Sequence, residues 1–119
     1  MRVLLTILSV VYGLTAAWAG EATVEAVTAR QASDGTWRFD VTVRHADTGW
    51  DHYANAFTIE TTDGAALGTR TLHHPHVEEH PFTRSLSGVS IPDGVSVVLV
   101  RAVDSVHGPG EAVEVTLPR

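Results

Sequence analysis

The run Trp37-Arg38-Phe39-Asp40-Val41-Thr42-Val43-Arg44 places large apolar side chains on odd numbers and polar ones on even numbers. Successive side chains of an extended chain point to opposite faces, so this stretch buries one face only as a β-strand whose other face is wet. Tyr53, Asn55, Phe57 and Ile59 repeat the pattern, and Val95 to Val103 is apolar on both faces, as a central strand is. Shorter candidates span 22–30, 66–72, 82–86 and 112–117, while helical spacing of apolar residues is hard to find.

Three Asp-Gly pairs punctuate these runs: Asp34-Gly35, Asp63-Gly64 and Asp93-Gly94, the last after Pro92. Asp-Gly supplies the positive φ that tight turns demand. Seven short strands with regular turns predict an antiparallel β-sandwich of the immunoglobulin or fibronectin type, with a small barrel as the competitor.

The first residues, MRVLLTILSVVYGLTAAWAG, combine Arg2, an apolar run from Val3 to Ala17, and small residues at Ala17 and Ala19. This is the layout of a secretory signal peptide cleaved after Ala19, leaving residues 20–119 as a single domain in the periplasm or outside the cell. The run is short for a span of roughly 20 residues and no basic stop-transfer cluster follows, so no stable membrane anchor is expected after cleavage. With no cysteine there is no disulfide and no thiol to take a lipid.

Strands that cross a sandwich in alternate directions send alternate connections to opposite ends. The three Asp-Gly turns then fall at one pole. The segments "HADTGWDH", "HHPHVEEHP" and "DSVHGPGE" fall at the other, and they hold every histidine: His45, His52, His73, His74, His76, His80 and His107.

Neutral imidazole is the commonest protein metal ligand, and sites without thiolate use it with carboxylates. His74-Pro75-His76 projects two imidazoles to one face of an extended segment, whereas the adjacent His73 and His74 point oppositely. His80 or His107 could supply a third ligand, with Asp104, Glu78 or Glu79 as a carboxylate partner. Alternation also carries the odd-numbered inward face of the Trp37–Arg44 run to His45 and the inward face of the central run, through Val98, Val100 and Ala102, to Asp104. His52 and Trp50 stand beside them as a wall. The expected ligand set is His74, His76, His80, His107, His45, His52 and Asp104. The only methionine is Met1, so soft ligands are absent, and Zn(II), Cu(II) or Ni(II) suit the site better than Cu(I).

Loss of Arg2 would leave seven arginines, no lysine and fourteen acidic residues. Such a surface repels phosphate backbones and anionic bilayers, which argues against nucleic acid and favours cations. No nucleophile elbow is present, and Ser105 near His107 is a weak pair, so no enzyme activity is expected. The expected function is an exported divalent-metal carrier or buffer. A non-catalytic module that recognises another periplasmic protein through a pH-sensitive histidine surface is the alternative.

"GWDHYANAF", "HPHVEEHPFTRSLSGV" and "RAVDSVHGPG", within Gly49 to Leu117, resemble a group of small exported bacterial β-sandwich proteins, a resemblance that implies no particular activity. The sandwich layout is also similar to that of CopC-type periplasmic copper carriers. This chain departs from them in lacking methionine-rich motifs and in beginning its expected mature form with Gly20-Glu21 rather than histidine.

Overall fold

The computed structural model describes residues 9–12 and 21–119, which are all β. The strands are β1 (Ser9–Tyr12), β2 (Thr23–Gln31), β3 (Trp37–Arg44), β4 (Ala54–Glu60), β5 (Ala66–Thr71), β6 (Phe82–Val89), β7 (Val97–Asp104), β8 (Gly108–Pro109) and β9 (Val113–Thr116). They form two antiparallel sheets, β1-β2-β3-β6 and β5-β4-β7, with β8 and β9 both paired to β7. The seven strands expected from alternation correspond to β2 to β7 and β9, and β7 lies centrally, as its two apolar faces require. Among the described residues no helix is long and apolar enough to cross a membrane.

Inward faces of both sheets meet in one core. Trp37, Phe39, Val41 and Val43 of β3 pack with Val98, Val100 and Ala102 of β7 and with Phe57 and Ile59 of β4, all buried. Each buried Val, Ile or Phe side chain contributes roughly 1.5–3 kcal/mol. At the Asp-Gly end the core closes on Trp37, Val89 and Leu117.

The Asp-Gly turns are not alike. Hairpins β2–β3 and β4–β5 stay within a sheet, and Gly35 and Gly64 take φ of 91° and 94° so that the strands can reverse at once. In each, the glycine N–H bonds back three residues, Gly35 to Ala32 O at 3.0 Å and Gly64 to Thr61 O at 2.9 Å. The β6–β7 connection passes from one sheet to the other and needs no such reversal. There Val95 N–H bonds Pro92 O at 3.0 Å, and Gly94 does not take the positive φ expected of it.

Two further expectations are corrected. The strand expected over 82–86 runs on to Val89, with Gly88 at φ 72° where the register to β3 shifts between Trp37 and Phe39. Tyr53 and Asn55 do not continue the inward face of Phe57 and Ile59. Ala54 pairs with Asp104 and Ala56 with Val103, so β4 spends one extra residue, Asn55, in a bulge that inverts the alternation and buries Ala54.

Ser9–Tyr12, inside the expected leader, pairs antiparallel with Ala26 to Ala29 of β2. The Ala17 and Ala19 cleavage signal lies outside the described residues.

Candidate metal centre

Three strand ends aim polar groups into the end of the core opposite Trp37. The odd-numbered face of β3 continues past Arg44 to His45 and Asp47, both buried. The even-numbered face of β7 ends on buried Asp104. The β4 bulge brings His52 into phase with inward Ala54; without it His52 would share the outward face of the even-numbered residues.

These groups converge. Ligand atoms of His45, His52 and Asp104 all lie within 4.8 Å of one another. His52 Nε2 donates to Asp104 Oδ2 at 2.8 Å, His45 Nε2 stands 3.6 Å from Asp104 Oδ1, and His107 Nε2 stands 3.8 Å from Asp104 Oδ2. Zinc–ligand bonds of about 2.0–2.1 Å put tetrahedral ligands about 3.3 Å apart, so these separations bracket what a small cation needs.

Asp47 fixes the chemistry of His45. Its Oδ1 accepts the His45 Nδ1 proton at 2.5 Å and the Ala54 N–H at 3.0 Å. The other ring nitrogen of His45, Nε2, faces the Asp104 carboxylate, with both side chains fully buried. A cation placed between the two, 3.6 Å apart, would be held by both.

Burial acts most strongly on Asp47 and raises its pKa. Hydrogen bonds from the His76 N–H, His45, the Ala54 N–H and His80 outweigh it and hold the carboxyl below the ordinary carboxylate value. Asp104 behaves likewise: burial raises it, and hydrogen bonds from His52 and the Val106 N–H, aided by the charges of His45 and His52, bring it below the ordinary value.

The histidines of the β5–β6 connection do other work. His76 N–H donates to Asp47 Oδ2 at 2.7 Å, while its ring stacks on Phe82 at 4.0 Å and its Nε2 accepts from Arg84 Nη2 at 3.1 Å. Burial, then the Arg84 charge, lowers the His76 pKa, so this imidazole stays neutral with its lone pair taken. His80 Nδ1 accepts the His45 N–H at 2.9 Å, which leaves the proton on Nε2, 3.3 Å from Asp47 Oδ2. His74 is exposed and lies against the His76 ring at 4.7 Å. The structure therefore gathers His45, His52 and Asp104 around one point, with His107 at its edge 3.8 Å from Asp104, and places His76 and His80 around Asp47 instead. Glu79 is exposed beside His76 and Arg84, Glu78 is exposed, and Trp50 points to solvent against Tyr53 rather than walling the site.

Sequence reasoning overlooked Asp47 as the hub. Its signal was present, since His45 and Asp47 at i and i+2 share a face of an extended segment. A cleft of about 420 Å³ lined by Arg30, Asp34, Trp37 and Arg38 lies at the opposite pole and is lined by no histidine.

The chain is 42% identical over 90 residues to a protein named "Putative lipoprotein" from Halomicrobium mukohataei; the matched region covers 76% of this chain and 44% of that relative's length. This chain thus spans under half of the relative it matches. No family model and no solved structure matches it, and the layout similarity to CopC-type carriers gains no support from these comparisons.

Proposed function

We propose that this protein binds one divalent metal ion, Zn(II) or Cu(II), and serves outside the cytoplasm as a carrier or buffer for it. The observation that carries this reading is the buried His45 Nε2 facing Asp104, with Asp47 on the other ring nitrogen and His52 and His107 alongside. A carboxylate on the remote nitrogen of a ligating histidine orients the ring and raises its basicity. Imidazole with carboxylate and no sulfur suits both ions.

Export is supported by the leader-like first residues and by the name of the Halomicrobium relative. Cleavage after Ala19 would remove β1 and leave β2-β3-β6 facing β5-β4-β7-β9, a partition that favours the fibronectin-type reading over a barrel. The reading is non-catalytic. Ser105 Oγ accepts the Tyr53 N–H at 3.0 Å, a use that supports a structural hydroxyl rather than a nucleophile.

Isothermal titration of protein carrying no histidine tag tests the proposal. One zinc or Cu(II) ion per chain is expected, and His45→Ala should weaken binding by at least about 100-fold, beyond the 10–100-fold typical of outer partners. Saturating ion at 100 times Kd should add about 2.7 kcal/mol of stability. Absence of stoichiometric binding, together with an unchanged melting temperature, would sink the reading.

A further inference from the structure

We propose that the histidine pole is a docking face for a basic protein, and that the ion is exchanged with this partner at His107. This inference rests on the metal-binding reading and names its partner and its exit.

Exposure across the four groups is graded. The side chains of His45 and Asp104 are 0% exposed, His52 is 23% exposed and His107 is 48% exposed. Structural zinc sites are closed on all sides, whereas sites that exchange a ligand keep one position open. His107 sits on the short turn after β7, where a small movement frees its coordination position while His45 and Asp104 stay in the core.

Exposed apolar side chains stand on the loops of this pole. Trp50 at 68%, Val77 at 55% and Val106 at 58% are the exposed large hydrophobic residues among those described, and each comes from a different loop of this pole. Trp50 lies two residues before His52, and Val106 adjoins His107. Single exposed apolar residues need no explanation, but three confined to the loops around one site mark an interaction surface.

Charge selects the partner. Asp51, Glu78, Glu79 and Glu111 are exposed in the same connections, whereas Arg84 there is half-buried and engaged with His76. The rim repels an anionic bilayer and a second copy of this chain, and attracts lysine- and arginine-rich surface. Exchange is then ligand substitution. A neutral imidazole of the partner forms a bond to the ion as the His107 bond breaks, further partner ligands then displace His52, His45 and Asp104 one bond at a time, and the oxidation state of the ion does not change.

The experiment uses zinc-loaded protein and two fluorescent peptides that share a Leu-flanked His-x-His core, one ending in lysines and one in glutamates, mixed by stopped flow. Transfer is expected to be first order in peptide. The lysine form should be faster by about 10-fold or more at low salt, and the gap should close at high salt. The Asp51→Asn/Glu78→Gln/Glu79→Gln variant should lose the preference, and Trp50→Ser/Val106→Ser should slow transfer while loading zinc normally. Rates independent of peptide concentration, or equal for both peptides, would overturn the proposal. So would binding to phosphatidylserine vesicles, which favours a bilayer, or a dimer by light scattering that Trp50→Ser/Val106→Ser abolishes. Failure of the protein to load zinc at all is a different result and defeats the metal-binding reading itself.

Discussion

The two ends of this sandwich close the same core in opposite ways. At one end Trp37, Val89 and Leu117 make an apolar plug beneath tight hairpins. At the other, His45, Asp47, His76 and Asp104, the buried polar and charged residues among those described, form a hydrogen-bonded cap. Topology explains the difference. Two of the Asp-Gly turns join neighbours within a sheet, whereas β3–β4 and β5–β6 cross from sheet to sheet at the histidine end. A crossing loop leaves space between the sheets, and inward strand ends from both sheets meet there. Buried polar networks are worthwhile only when their members are satisfied, so a cap of this kind must either be fully paired or hold a charge.

Trp37→Ala attacks the apolar end and should have the largest effect, a loss of about 3–5 kcal/mol by urea unfolding. Its zinc affinity should stay within about 2–3-fold of the parent, because sites without shared partners couple by under about 0.5 kcal/mol. A large loss of affinity would mean that the two ends are one unit. Asp47→Ala attacks the cap. It strands the His76 and Ala54 N–H groups at about 1–3 kcal/mol each and frees His45 to turn. Zinc affinity should fall about 10–100-fold by calorimetry.

A smaller contrast separates turns within the Asp-Gly end. Gly64→Ala must force a side chain into positive φ and should cost about 1–2 kcal/mol, while Gly94→Ala should be nearly neutral in the same unfolding measurement.

Acid supplies the last comparison. Asp47 and Asp104 have pKa values lowered by folding, so their stabilisation is complete above the unfolded value of about 3.9 and is lost as pH falls through the folded values. Asp34 is also lowered, chiefly by its side-chain hydrogen bond from Thr36, but it is fully exposed. In metal-free protein, Asp47→Asn and Asp104→Asn should flatten the fall in unfolding midpoint below about pH 4, and Asp34→Asn should do so much less, because solvent screens an exposed group. An equal effect from all three would show that the polar cap has no special electrostatic role.

Alternation is a local property, and what depended on it alone was legible in the chain itself. The strands, the inward faces of β3 and β7, and hence the burial of His45 and Asp104 follow from side chains two residues apart. Segregation of the histidines to one pole follows from counting strands. What the chain by itself did not disclose depends on register between distant strands. The Asn55 bulge, which turns His52 inward, exists only in the pairing of β4 with β7. Gly94 lacks a hairpin conformation because β6 and β7 lie in different sheets. His76 is held by Asp47 and Arg84, residues brought to it from β3's end and from β6, so "HHPHVEEH" read as ligands becomes in part a brace. Sequence determined which groups could reach this pole; tertiary structure decided which of them share a point, because convergence is a relation among strand ends that no single segment contains.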